Sequence, residues 1–380
     1  MQILEILAVS LTTMTLAIAV FGALSLLGDN APQRTGWGLV LFLAIAAFDA
    51  LAALAALWEL SPLFYWLGAI EPLVTILYGP AIYVYAMRLT GQELPPRLVP
   101  LLVAAVLIYA VSYAAAVGSL PREVQGAMLL GRTIDDPELS GWAITTMIAL
   151  QAVFLVVTFG FILAIWRALD DNLRRLRALF SSIEDRTLSW LRVVIVLGLA
   201  AWVWAALHGA FERIGIGGGW LEAVDAAITL TWVSILSYFG IRQHPALEDA
   251  RDANTLPQTA EKYARSALDG ARMAKLGDRM VRLMRAEALH RDPALSLRRL
   301  SEQVGASPNH VSQTLNEHLG VSFFDFVNGF RVDEAETLLR GTDRSVTEIA
   351  LEVGFNSRST FNAAVRKHRN VTPTDLRGHR

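Results

Sequence analysis

Ten side chains in the last fifth of the chain carry amide, hydroxyl, imidazole and cationic groups, in two clusters. One holds Asn309, His310, Ser312, Gln313 and Asn316; the other holds Arg358, Ser359, Asn362, Arg366 and Lys367. Amides and guanidinium groups present the paired donors and acceptors that base edges need, Asn or Gln to adenine and Arg to guanine, while cations meet phosphate. The stretch Arg358–Arg380 has six Lys or Arg against one Asp, a local positive footprint suited to a polyanion. One such face alone reads equally well as a solvated helix surface. Two of them in matched settings read as a nucleic-acid interface.

The setting is a repeat. Leu300-Ser-Glu-Gln-Val-Gly-Ala-Ser-Pro-Asn-His-Val-Ser-Gln-Thr-Leu315 parallels Ile349-Ala-Leu-Glu-Val-Gly-Phe-Asn-Ser-Arg-Ser-Thr-Phe-Asn-Ala-Ala-Val365. Each copy predicts a short helix ending in Val-Gly, with Gly305 and Gly354 suited to a left-handed residue after the last turn. A cap follows, Ser307 with Pro308 in one copy and Asn356 or Ser357 in the other. A second helix then buries Val311 and Leu315, or Phe361 and Val365, and turns its polar face outward. Ser345 with Glu348 adds a capping box before the second copy. Helix, tight turn and helix is the arrangement that places a helix in a DNA major groove.

Residues from about 262 to 378 resemble the AraC/XylS-type DNA-binding domain. The likeness rests on Ser307-Pro-Asn-His-Val-Ser-Gln313, Phe323-Phe-Asp-Phe-Val-Asn328, Arg331-Val-Asp-Glu-Ala335, the second copy from Ile349, and Thr372-Pro-Thr-Asp-Leu-Arg377. It implies seven helices, with two helix-turn-helix units held in register by a long helix around Ser322–Leu339 and the ten polar residues as DNA contacts. Three positions depart from the family's usual pattern. Gln313 and Asn316 stand where basic residues are frequent, Val365 where phenylalanine is usual, and Asn370 where glycine is usual. The preceding region resembles the subgroup in which this domain follows several membrane spans, through Leu77-Tyr-Gly-Pro-Ala-Ile-Tyr-Val-Tyr85, Phe180-Ser-Ser-Ile-Glu184, Leu188-Ser-Trp-Leu-Arg192 and Lys262-Tyr263 with Ser266.

That region must be read against composition. The 380 residues are 54% apolar and 18% charged, with mean hydropathy +0.41, too oily for an ordinary soluble chain. A bilayer core takes about 20 apolar residues in helical form. Seven stretches qualify: Leu4–Leu27, Trp37–Leu57, Leu63–Met87, Val99–Val117, Gly141–Trp166, Leu191–Phe211 and Gly219–Ile241. The odd-numbered loops hold nine arginines and the even-numbered loops three, which predicts the N-terminus outside and the C-terminus in the cytoplasm. The start, Met1-Gln-Ile-Leu-Glu5, lacks the basic segment of a cleavable leader, so the first span is expected to stay. The expected fold class is all-α: a seven-helix transmembrane bundle over 1–241, a polar linker over 242–260, and a soluble helical domain over 261–380.

Ionisable groups at membrane depth are costly and so mark functional candidates. Asp49 and Glu71 lie within spans two and three. His208 and Glu212 share a face near the outer end of span six, and Glu222 and Asp225 share one at the start of span seven. These six could converge on an outward-opening sensor pocket with Tyr78, Tyr83, Tyr85, Trp202 and Trp204 in its wall; they equally suit headgroup-level positions and packing. The fifth loop, Arg167–Trp190, is amphipathic through Leu169, Leu173, Leu176, Leu179, Phe180 and Ile183. It fits either a helix lying on anionic lipid or an extension docking on the rest of the chain.

With no cysteine, disulfides, thiolate metal sites and cysteine nucleophiles are excluded. HExxH, GxSxG and Walker glycine motifs are absent, and His208 is the one histidine within the spans, so no metal site, cofactor or enzymatic activity is expected. The chain reads as a membrane-embedded one-component transcription regulator of the inner membrane, its DNA binding controlled by a signal sensed among the spans. The partners this implies are double-stranded DNA, membrane lipid, and a small ligand or membrane protein as signal, with a homodimer and RNA polymerase compatible with the same reading. A partner-sensing membrane module, or a transporter with an attached regulatory domain, is the alternative.

Overall fold

In the computed structural model, residues 3–28, 37–57, 63–92, 94, 98–129, 137–184, 187–213, 218–242 and 269–378 are described. The expected linker, apart from Arg242, and Lys262, Tyr263 and Ser266 lie outside them. The described residues are almost wholly helical, with one isolated bridge between Phe180 and Ser296 and no strand. They form two compact units, 1–169 with 188–247, and 170–187 with 248–380.

The first unit holds α1 (Ile3–Gly28), α2 (Trp37–Leu57), α3 (Leu63–Thr75), α4 (Tyr78–Leu89), α5 (Leu98–Gly118), α6 (Arg122–Leu129), most of α7 (Pro137–Leu179), α8 (Ser189–Arg213) and α9 (Gly219–Arg242). Five stretches are long and apolar enough to cross a membrane: Ile3–Leu27, Trp37–Ala55, Ile70–Leu89, Ile148–Leu179 and Gly219–Arg242. Val103–Gly118 and Ser189–Ala205 are shorter apolar helices. Their outward faces carry exposed Phe21, Ile108, Val111, Val156 and Val203, an arrangement suited to lipid rather than water.

Two elements differ from expectation. The third span is two helices, because Pro80 lacks an N–H and its ring crowds the carbonyl four residues back, at Ile76. The chain turns at Ile76–Leu77, with the Leu77 amide donating to Val74 O at 3.0 Å, and restarts with Pro80 in the first turn of α4. The fifth span does not stop at Trp166. It runs on as α7 for 43 residues in all, about 65 Å at a rise of about 1.5 Å each.

The core of the first unit joins α1, α2, α4, α7, α8 and α9 around Phe42, Tyr85, Phe161, Ile165, Leu191 and Val233. Gly38 lets α2 meet α4 backbone to backbone, since a Cβ there would sit 2.5 Å from both Ala81 O and Tyr85 N. Phe42, Tyr78 and Trp232 stack edge to face at 4.9–5.7 Å between centroids, close to the geometry aromatic quadrupoles favour.

The second unit contains α10 (Gly270–Ala286), α11 (Leu297–Val304), α12 (Pro308–Gln313), α13 (Phe323–Gly341), α14 (Val346–Glu352), α15 (Arg358–Arg369) and α16 (Pro373–Gly378). Most starts are fixed by a side-chain oxygen that accepts from the backbone: Asp269, Ser296, Ser307, Ser322, Ser345 and Ser357. Two cores lie along α13. One gathers Met280, Leu300, Val311, Leu315, Phe323 and Val327; the other gathers Val332, Leu339, Ile349, Phe355, Phe361 and Val365.

Candidate nucleic-acid interface

Each helix-turn-helix unit is built from local chemistry. In the first, α11 ends on Gly305 at φ 62°, a left-handed position that a glycine holds without strain. Ser307 then caps α12, accepting from the His310 amide at 3.2 Å. In the second, the expected capping box forms: the Ser345 amide donates to Glu348 Oε2 at 2.8 Å and the Glu348 amide to Ser345 Oγ at 3.1 Å. The turn passes through Gly354 at φ 99°, and Ser357, not Asn356, caps α15.

Packing decides which residues face out. Val311 and Leu315 are buried in the first unit, Phe361 and Val365 in the second. Asn309, Asn316, Arg358, Ser359, Arg366 and Lys367 are exposed, while His310, Ser312, Gln313 and Asn362 are half-buried at the edges of the same faces. Arg358, Asn362 and Arg366 recur every fourth residue, so they line one edge of α15 over about 12 Å, comparable to the width of a B-DNA major groove. Asn370 ends α15 at φ 60°, the left-handed conformation that glycine would have supplied.

The two faces are chemically unlike. On α12 and the π-helical turn Thr314–His318 that follows it, Gln313 Nε2 donates to Glu317 Oε2 at 2.9 Å and Asn316 faces Ser312 Oγ at 3.4 Å. This face is neutral and rich in amides. On α15 it is cationic, although Lys367 is tied to Asp325 of α13 at 2.6 Å. Arg369 also turns back, bonding Glu336 and Asp333 of α13. These two cations brace α15 on the long helix. His368 is half-buried beside them, and burial holds its imidazole below the usual range.

The residue that joins both units is Arg331, which lies in line with Val327, Ala335 and Leu339 on the apolar stripe of α13 and is fully buried. Its Nε donates to His290 O at 2.7 Å, Nη2 to Asp292 O at 3.0 Å and Nη1 to Asn328 Oδ1 at 3.2 Å. Its guanidinium also lies over the Phe355 ring of the second unit's turn at 5.4 Å. Burial lowers its pKa to about 10, so it stays charged at neutral pH. A cation standing every fourth residue among apolar side chains was the sequence signal for this hub; its place in the matching stretch did not reveal its role.

The six membrane-region candidates fall into separate sets. Asp49 takes a hydrogen bond from Tyr78, with Glu71 close enough to interact electrically with both. His208 Nδ1 pairs with Asp225 Oδ2. Glu222 is exposed, and the Glu212 side chain lies outside the described residues. Of the five aromatic residues, Tyr78 and Trp202 line a small cavity of about 40 Å³ with Phe161, Ile165, Gly198 and Trp232. No cluster of metal-binding side chains occurs among the described residues.

A family profile described as "Helix-turn-helix domain" matches residues 300–379. The chain is 41% identical over 92 residues to proteins of Staphylococcus aureus strains COL and N315 named "Uncharacterized HTH-type transcriptional regulator", covering 24% of this chain and 12% of each relative. It is also 30% identical over 89 residues to the "Probable transcription factor PqrA" of Proteus vulgaris, covering 23% of this chain and 73% of that protein. The chain belongs to the AraC/XylS-type helix-turn-helix transcription regulators. The regulator spans about an eighth of the length of its S. aureus relatives. No solved structure matches it.

Proposed function

We propose that this regulator is membrane-embedded and acts as a single component, with the helices of the first unit receiving a signal and α12 and α15 reading DNA. The observation that supports it most directly is the joining, in one polypeptide, of five membrane-length apolar stretches and two capped helix-turn-helix units with outward polar faces. In this reading all seven apolar helices cross the inner membrane, the N-terminus lies outside and the C-terminal unit is cytoplasmic, as the nine-to-three distribution of loop arginines favours. The α12 face reads bases through Asn309, His310, Ser312, Gln313 and Asn316. The α15 face combines phosphate and base contacts through Arg358, Ser359, Asn362, Arg366 and Lys367. A homodimer would double the phosphate contacts.

The signal acts by favouring one of two arrangements of the first unit, and a ligand does so only if its affinity for the two differs. The paired groups Asp49 with Tyr78 and His208 with Asp225 are the polar points where such a signal has purchase. The test is genome-wide DNA crosslinking with tagged full-length protein beside an Arg358→Ala/Arg366→Ala double variant. Discrete peaks that disappear in the variant are expected. An absence of peaks, with the protein present in the membrane, would overturn the reading in favour of partner sensing or transport.

A further inference from the structure

The segment that leaves α7 takes no part in the first unit. Residues 170–187 fold with the second, and the stretch after Leu179 is threaded into the junction between its two helix-turn-helix units. The Ser181 amide and Oγ both donate to Leu295 O, at 3.2 and 2.7 Å, just ahead of α11. Phe180 bridges to Ser296, the cap of α11. Leu179 packs on the first unit's core, and Arg177 lies over the Phe324 ring at 6.0 Å.

Arg331 closes around the same segment. Its Nη1 donates to Ser181 O at 3.0 Å and Ser182 Oγ at 3.3 Å, and its Nη2 to Ser181 Oγ at 3.2 Å. Half of the guanidinium's hydrogen bonds thus go to this loop and half to His290, Asp292 and Asn328. One side chain therefore sees the loop, the approach to the first unit, the long helix and, through Phe355, the turn of the second.

Two further features suit a joint that moves. A cleft of about 220 Å³ lies between Phe180, Ser182 and Glu184 on one side and Pro293–Leu295 and Asn356 on the other. Asn356 immediately precedes the cap of α15. Both carboxylate oxygens of Glu184 are buried without a hydrogen-bond partner among the described residues, an arrangement that costs free energy while the segment is docked. The clasp is held mainly by polar bonds that water can replace, so release is a small step and not an unfolding.

We propose that Phe180–Glu184 is the input element of the DNA-binding unit: held by Arg331 where the two helix-turn-helix units meet, it transmits the state of α7 to both recognition helices. Release would strip Arg331 of its loop partners and loosen the approach to α11 against the turn before α15. The polar linker after Arg242 then serves as a tether, and the regulatory path runs through the fifth loop. This rests on the regulator reading above.

The test uses full-length tagged chain, with Ser181→Ala/Ser182→Ala and Ser181→Pro as independent ways to weaken the clasp, and Arg358→Ala/Arg366→Ala as the DNA-contact control. Hydrogen exchange in lipid nanodiscs and genome-wide crosslinking are read together. Expected is about tenfold faster exchange over 180–184 with α13 still protected, together with a change of about threefold or more in occupancy at the parent's sites. Unchanged occupancy despite a released segment would overturn the proposal. So would fast exchange of 180–184 in the parent, no release in either variant, or loss of α13 protection in both. If the parent shows no peaks, or its peaks survive the DNA-contact control, the regulator reading fails first.

Discussion

The two helix-turn-helix turns contain the same glycine and invite the same substitution, yet their surroundings differ. At Gly305, φ is 62° and an added methyl would meet only the terminal nitrogens of Arg279, at 3.5 and 3.9 Å. Gly305→Ala should therefore cost no more than the left-handed penalty for an L-residue, about 1–2 kcal/mol, partly offset by a less flexible unfolded chain. At Gly354, φ is 99° and the methyl would lie 2.6 Å from His290 O and 2.8 Å from Arg291 O. Those are main-chain atoms, and His290 O is held by Arg331 at 2.7 Å, so neither can step aside freely. Strain of about 1–3 kcal/mol and overpacking of about 1–3 kcal/mol together place Gly354→Ala near 4 kcal/mol. A gap of about 2 kcal/mol between the variants corresponds to about a 30-fold difference in local opening. Hydrogen exchange of detergent-solubilised full-length protein, read over α11–α12 for one variant and α14–α15 for the other, measures it. Equal effects within about threefold, or a larger effect for Gly305→Ala, would show that the contact between Gly354 and residues 290–291 does not constrain the second unit.

Three further outcomes follow from the same geometry. On a DNA fragment recovered by crosslinking, Arg366→Ala should lower the slope of log affinity against log salt by about 1, whereas Lys367→Ala should lower it less because Asp325 already holds that ammonium; anisotropy titrations across salt read both. Ser345→Ala removes the capping box and should cost about 1 kcal/mol, while Ser345→Asp restores the cap and most of the stability in thermal unfolding. Arg369 holds the Glu336 carboxyl below the usual range, so that pair stabilises fully above the unfolded value near 4.3 and is lost as pH falls through the lower folded one. The stability gap between the parent and Glu336→Gln, about 1 kcal/mol or less for a largely exposed pair, should close on acidification from about pH 6 to about pH 3.

The repeat around Gly305 and Gly354 was legible because turns, caps and apolar spacing are local, and each copy checks the other. Asn370 was legible for the same reason: a left-handed helix end depends on one residue's own conformational preference. The break at Ile76–Leu77 was signalled by Gly79-Pro80 but hidden inside a hydrophobic run, where composition alone shows a single span. The fifth loop left two readings open because a stripe such as Leu169, Leu176 and Ile183 is apolar whether it faces lipid or protein. In the structure all three are buried within the protein, while Arg174, Arg175 and Arg177 remain outside. The hub at Arg331 depends on carbonyls from residues 181, 290 and 292, far apart in sequence, and periodicity carries no trace of such a meeting. How the ten interface residues engage DNA belongs to the complex, and neither spacing nor packing within one chain specifies it.

The π-helical turn at Thr314–His318 has a consequence for anyone seeking to rewrite this protein's DNA preference. Its closing bond, Leu319 N to Thr314 O at 3.0 Å, spans one residue more than an α-helical bond, and such bulges advance the side-chain register by part of a turn. Asn316 therefore points in a different direction from the third member of the Arg358–Asn362–Arg366 row, although the aligned sequences suggest equivalence. Transplanting side chains between the two units position by position would misdirect that residue. A graft that respects the geometry must move the whole of 308–319 as a block, or delete one residue as it is moved.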